Sequence, residues 1–251
     1  YALSWFPEDD RILVTADGGG DELNHIYVRE ADGALRDLTP GENVKASFMG
    51  WSADGSQIWI STNERDPAAF DLYAYDAETY ERSLVFENAE ALAMSAISPD
   101  GRWLALDRPR TSADSDILLA DLTSDEAPVL ITEHEGNIAY GAYDFTADSS
   151  ALVYATNEYG EWNQAWTYDL ATGDRAPLIE ADWDVMYVGY SPSGQYRVSA
   201  VNNDGFTDVT VLDTATGETV SLPDSVPAGD LAGVRFNEDE TQMAFGVTSS
   251  V

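Results

Sequence analysis

The 251-residue chain contains no cysteine, which excludes disulfides and thiolate metal sites and leaves its redox compartment open. It has a single lysine, Lys45, and only 12 Lys+Arg against 46 Asp+Glu, for a formal net charge of -34. A surface of that sign repels nucleic acid and anionic membranes, so neither is expected as a partner. No apolar run is long enough for a transmembrane helix, and the mean hydropathy is -0.28. No segment holds a helical period long enough to support a helical domain. The chain opens on Tyr1 rather than Met and shows no signal peptide; it reads as an excerpt or processed form, for which a missing leader proves nothing.

What is present is 44% hydrophobic content, 11% aromatics and acid spread evenly along the chain. A run of acids packed into a tail would read as disorder; spread through an aromatic-rich sequence, the same acid reads as a solvated folded surface. With lysine almost absent, the composition resembles that of proteins from salt-accumulating halophiles. It implies a high-salt cytoplasm and folding that needs salt to screen self-repulsion.

Six stretches align without gaps: WFPEDDRILVT from Trp5, WSADGSQIWIS from Trp51, ISPDGRWLALD from Ile97, FTADSSALVYA from Phe145, YSPSGQYRVSA from Tyr190 and FNEDETQMAFG from Phe236. Their first residues lie 46, 46, 48, 45 and 46 apart. A second series follows the first five: HIYVRE, DLYAYD, DILLAD, AWTYDL and DVTVLD. Its closing acids are Glu30, Asp76, Asp121, Asp169 and Asp213, with spacings of 46, 45, 48 and 44. Two independent markers keep one period.

Each unit reads as four short strands. An apolar strand meets a Pro/Ala-Asp-Gly-type turn and leads into a β-branched and aromatic strand. A third strand ends in a turn such as DLATGD or DTATGE, and a short fourth follows, as in APVLIT, RAPLIE and TVSLP. One such sheet cannot bury its faces alone, so neighbours must stack. Four strands per repeat of this length predict an all-β fold, a β-propeller of four-stranded antiparallel blades. Residues 1–251 form one propeller, with blades at about 1–44, 45–89, 90–138, 139–183 and 184–230 and a partial sixth at 231–251. Five repeats of about 46 residues are complete and the sixth is half present, from which the natural polypeptide is expected to continue.

Ser52, in GWSADG, tempts a nucleophile reading. However, its aligned partners are Phe6, Ser98, Thr146, Ser191 and Asn237, and no nucleophile recurs at every turn of a scaffold. The elbow also needs Gly-X-Ser-X-Gly, whereas Asp54 fills its last place here, as Ser193 does in GYSPSG. Both serines are turn residues, and no catalytic residue is assigned.

The SPDG strand–turn–strand followed by YDLATG resembles the propeller repeat of TolB-like proteins and of the prolyl oligopeptidase family of serine peptidases. WFPEDDRILVTADGGGDELNHIYV, DLTPGENVKASFMGWSADG, STNERDPAAFDLYAYD, RPRTSADSDILLADL and ADWDVMYVGYSPSG are similar to its acylaminoacyl- and dipeptidyl-peptidase-like branch. The resemblance spans the whole chain. It implies a non-catalytic propeller that gates and orients peptide substrates for a hydrolase domain in cis, and that domain is absent from these residues. The alternative is a stand-alone TolB-like scaffold that docks a protein partner on one propeller face. A self-contained propeller hydrolase is the weakest reading, because no metal ligands or paired acids are focused on the channel.

Arg65, in TNERDP, is the first substrate-channel candidate, its forked donors suiting a peptide carboxylate or carbonyl; the competing reading pairs it with Glu64 or Asp66. Glu158 and Glu161, in TNEYGEW, occupy the matching loop of unit four. They are candidates for a peptide α-amino group, as acids are in dipeptidyl relatives, against a reading as solvated acids. His25 and His134 read as strand-edge and loop residues. Trp162 and Trp166 could line a channel, although nothing in the sequence singles them out. ADGGGDE, SADSD and NEDET are oxygen-rich without EF-hand spacing, so no metal and no cofactor is expected.

Overall fold

The computed structural model describes residues 1–223, 226, 229–237 and 239–248. Among these every regular element is a β-strand. Blade one comprises β1 (Ala2–Trp5), β2 (Ile12–Ala16), β3 (His25–Arg29) and β4 (Leu35–Asp37). Blade two comprises β5 (Ala46–Trp51), β6 (Gln57–Asp66), β7 (Ala69–Asp76) and β8 (Arg82–Phe86). Blade three holds β9 (Ala93–Ile97), β10 (Trp103–Thr111), β11 (Asp114–Asp121) and β12 (Val129–Leu130). Blade four holds β13 (Tyr140–Phe145), β14 (Ala151–Thr156), β15 (Gln164–Asp169) and β16 (Arg175–Ile179). Blade five follows with β17 (Val185–Tyr190), β18 (Tyr196–Asn203) and β19 (Phe206–Asp213), and a hairpin of β20 (Asp230–Phe236) and β21 (Met243–Thr248) comes last.

Strands pair antiparallel in chain order within every sheet. The fourth strand of blade five is cut to a single bridge between Leu212 and Thr219, with the Val220 N–H donating to Val211 O.

The turn chemistry explains the repeat. In blade two Ser52 Oγ donates to Asp54 Oδ1 at 2.7 Å and accepts the Gln57 N–H at 2.9 Å. Ser98 with Asp100, and Thr146 with Asp148, repeat this arrangement. Hydroxyl and backbone donors from Ser52 and Ser56 hold the Asp54 carboxyl down at about 2. The residue after the acid takes a left-handed φ: Gly55 at 69°, Gly101 at 71°, and in the fourth unit Ser149 at 55°. The first strand of every sheet, the hairpin included, carries a register shift against the second. Such a bulge sharpens twist; in blades one to four it falls two residues before the aligned Trp5, Trp51, Ile97 and Phe145, and in blade five it falls earlier, between Val185 and Tyr187.

The core lies between blades rather than within them. Leu13, Ile26 and Val28 of blade one pack on Ile58, Ile60 and Tyr75 of blade two. Trp59, Leu72 and Ala74 then meet Leu104, Leu106 and Leu118. Ala105, Ile117 and Leu119 meet Tyr140, Leu152 and Tyr154, and Val153 and Ala165 meet Val185 and Val188. Both faces of each middle strand are therefore apolar. The hairpin closes on blade five through Tyr196 stacked on Phe236 at 5.1 Å and Ser193 Oγ donating to Glu240 at 2.8 Å.

Up-and-down order sorts the connections onto two faces. First-to-second and third-to-fourth turns share one, the turn face. Second-to-third loops and the crossings to the next blade share the other, the loop face.

Candidate loop-face site

The loop face gathers buried charge. In blade two β6 runs past its ladder and carries Arg65 back onto Asp71 at the start of β7. Arg65 Nε donates to Asp71 Oδ2 at 2.7 Å and Nη2 donates to Oδ1 at 2.8 Å. Asp71 is 0% exposed and also accepts the Asn88 N–H at 2.8 Å from the crossing to blade three. The expected partners of Arg65, Glu64 and Asp66, are not the ones it takes. Glu64 instead accepts Arg82 Nη1 at 2.7 Å, and Asp66 accepts the N–H of Ala68 at 2.9 Å. Register decides this: Asp71 lies opposite Thr62 in the ladder, on the strand that Arg65 folds back along.

Blade three repeats the arrangement with more charge. Asp116, 0% exposed, accepts Arg108 at Oδ2 from Nε at 3.1 Å and from Nη2 at 2.9 Å. Arg110 Nη2 reaches the same oxygen at 2.7 Å. His134, its side chain 2% exposed, lies in the crossing to blade four, with Nε2 3.0 Å from Asp114 Oδ1 and Nδ1 2.8 Å from Thr132 O. A carbonyl and a carboxylate only accept, so a ring that makes both hydrogen bonds donates from both nitrogens, as an imidazolium. The Thr132 carbonyl, then the two carboxylates, raise the His134 pKa against the opposing effect of burial. SADSD is therefore an ion-pair segment: Asp114 and Asp116 are occupied by His134, Arg108 and Arg110. In ADGGGDE, Asp17 and Asp21 accept N–H groups of their own loop. In NEDET, Asp239 accepts the Thr241 hydroxyl and the Asn237 amide, while Glu238 lies outside the described residues.

Blade four carries Glu158 and Glu161 just beyond β14. Glu158 Oε2 accepts Arg175 Nη1 at 3.3 Å, while Glu161 is exposed. Burial first, then the Glu158 carboxylate, raises the pKa of Tyr140. Tyr140 and Tyr159 lie by Glu158, and two aromatic pairs lie in the same segment. Tyr159 lies on Trp166 with centroids 4.1 Å apart, and Trp162 lies against Trp183 at 5.1 Å. Arg65, Glu158 and Glu161 thus share one face, on blades two and four. Arg65 is bound into an ion pair, Glu158 is shared with Arg175, and Glu161 faces solvent.

The sequence reading missed the buried acids Asp71 and Asp116. The signal was there, five residues before each closing acid, where the aligned repeats hold His25, Asp71, Asp116, Gln164 and Asp208. Four of the five tie the start of the third strand to its blade's later segments. His25 Nδ1 is 2.8 Å from Asp37, Asp71 takes Asn88, Asp116 faces His134 at 3.6 Å, and Gln164 Nε2 donates to Trp183 O at 3.2 Å.

Residues 2–251 match the family model described as prolyl oligopeptidase, N-terminal beta-propeller domain. The chain belongs to that family. The propeller domain is 25% identical over 249 residues to dipeptidyl aminopeptidase BIII of Pseudoxanthomonas mexicana, a match covering 94% of this chain and 35% of that protein. Among solved structures it resembles TolB from Acinetobacter baumannii, with a TM-score of 0.65 and 18% identity over 96% of this chain and 58% of that one. A puromycin-hydrolysing peptidase of Mycobacterium tuberculosis gives a TM-score of 0.65 at 18% identity, over 94% of this chain and 39% of that one. At these identities the structural matches establish the fold. The chain spans about a third of the length of the curated relative.

Proposed function

We propose that this propeller domain gates and orients peptides for a serine-peptidase hydrolase domain carried elsewhere on the same polypeptide, with the loop face towards the substrate. The observation that carries the reading is family membership over the whole chain, joined to a dipeptidyl aminopeptidase relative of which these residues cover 35%. The loop face supports it chemically. Glu161 offers a solvated carboxylate, next in sequence to Trp162, where a peptide ammonium would gain a charge-assisted bond. Arg65, fixed by Asp71, has Nη1 left over, 4.0 Å from Glu87, as a donor towards a peptide carbonyl. Glu158 is held by Arg175 on the same face. The work proposed for this domain is size exclusion plus orientation, with no covalent step.

The reading frame around the segment encoding these residues tests the proposal. A hydrolase-sized region with Gly-X-Ser-X-Gly, Asp and His in that order supports it. A frame of propeller repeats alone overturns it and favours a TolB-like protein-docking scaffold, a reading for which the likeness to TolB over 96% of the chain speaks. At the site, Glu161→Gln is expected to weaken binding of an amidated peptide with a free α-amino group about tenfold, as loss of one charge-assisted bond would. Fluorescence anisotropy reads this, and unchanged affinity removes Glu161 from the site.

A further inference from the structure

We infer that Arg108 and Arg110 form a carboxylate-binding position on the loop face of blade three, one that accepts a carboxylate group of a peptide. This rests on the proposed reading of that face as the one that meets substrate.

Two neighbouring blades differ in how their buried acids are paired. In blade two one guanidinium meets one buried carboxylate, Arg65 on Asp71, and the pair is neutral. In blade three Arg108, Arg110 and the His134 imidazolium face only Asp114 and Asp116. Three cations against two anions leave an excess of one positive charge. Glu133 and Glu135, beside His134 in sequence, make no ion pair with either arginine among the described residues.

The donors are also incompletely used. Both arginines meet the same oxygen, Asp116 Oδ2: Arg108 hydrogen-bonds it from Nε and Nη2, and Arg110 Nη2 ion-pairs with it at 2.7 Å. Arg108 Nη1 and Arg110 Nε have no partner among the described residues, and Arg110 Nη1 is 4.0 Å from Asp114, too far to hydrogen-bond. The side chains are 35% and 42% exposed, so the unused N–H groups are reachable from solvent. Register explains part of the arrangement: β10 places Arg108 opposite Asp116, and Arg110 falls at the register shift between Pro109 and Thr111, unpaired in the ladder, with its Nη2 2.7 Å from Asp116 Oδ2. A buried acid thus holds two like-charged heads side by side, and a second carboxylate offers the acceptors and the charge they lack.

A free small anion gains little here, because the molecule as a whole carries -34 and repels anions at a distance. A peptide delivers its carboxylate through other contacts on the same face and needs only the short-range attraction.

The test uses one peptide in four forms: C-terminal acid or amide, and with an internal Glu or Gln. Each is titrated into the 251-residue chain at one ionic strength, followed by fluorescence anisotropy. We expect one carboxylate form to bind about tenfold more tightly than its uncharged counterpart, and the pair that differs identifies C-terminus or side chain as the source. Arg110→Gln, with Arg108 still on Asp116, is expected to collapse that difference. Arg110→Lys, keeping charge without the fork, is expected to restore part of it, and melting curves check that both variants fold. Equal affinity for all four forms, or a difference that survives Arg110→Gln, overturns the inference. If the four forms bind equally and all weaken in Glu161→Gln, the loop face still meets peptide and only the arginine site falls. If none binds, both readings fall.

Discussion

Asp71 and Asp116 present no surface to water, and a buried carboxylate is tolerated only when paired and hydrogen-bonded. Their arginines are partly exposed, which makes the two members of each pair unequal. Removing Arg65 strands a charge that cannot reach solvent, whereas removing Asp71 frees a guanidinium that can turn outward. Arg65→Ala is therefore expected to lower the urea midpoint more than Asp71→Asn, with the double variant near Asp71→Asn alone; equal losses would mean that the pair is not buried in effect. His134 obeys a different balance. Its folded pKa lies above the unfolded value of about 6.5, raised by the Thr132 carbonyl and the Asp114 and Asp116 carboxylates against the opposing effect of burial; Arg108 and Arg110 share the same acids. Its stabilisation is thus complete below about pH 6.5 and is lost as pH rises through the folded pKa. The wild type should lose urea resistance between neutral pH and pH 9 that His134→Gln does not lose. Parallel curves over that interval would mean the ring is neutral in the fold. A lone loop histidine gives no hint of this in sequence, because both acids that charge it are some 20 residues away and only strand register brings them near.

At the scale of the strand and the turn, the fold was legible because each element repeats its own chemistry. A tight turn of the Pro/Ala-Asp-Gly type, the apolar middle strands and the closing acid recur along the chain, and four sheets have the four strands read for them, while blade five keeps three and a single bridge. The partners of the loop residues were not legible. Arg65 pairs across the sheet rather than along its loop, and nothing local to TNERDP encodes Asp71. The polar residue opening each third strand would have shown the way, as it is the one break in an apolar alternation. In blade four that residue is Gln164, whose Oε1 accepts the Ala181 N–H while its Nε2 donates to Asn163 O and Trp183 O. Gln164→Ala leaves those groups without partners in a segment that supports Trp162 and Trp183. These groups are half-buried, so the expected cost is about 0.5–1.5 kcal/mol, the net worth of a typical hydrogen bond, measured as a shift in urea midpoint at constant m-value. Hydrogen exchange should speed up first in the crossing to blade five. A loss spread evenly over the ring would mean that this glutamine does not hold the crossing.

For the molecule as a whole, 46 acids against 12 lysines and arginines set a repulsion that no local pairing can cancel. Salt acts on it in two directions. It weakens exposed ion pairs such as Arg102 with Asp121 and Arg11 with Asp9, but such pairs contribute about 0–1 kcal/mol each. It also screens the unpaired acids, which outnumber every possible pair, and this effect wins. The screening length falls from about 10 Å at 0.1 M to about 3 Å at 1 M and changes little after that. The melting temperature should therefore rise between 0.1 M and 3 M KCl, with most of the gain below 1 M, at about 2–4 °C per kcal/mol for a chain of this size. A melting temperature that does not move would show that the acids are already far enough apart at low salt to ignore one another. A rise that continues linearly to 3 M would assign the effect to exclusion of salt from apolar surface and leave the charge without a role in folding.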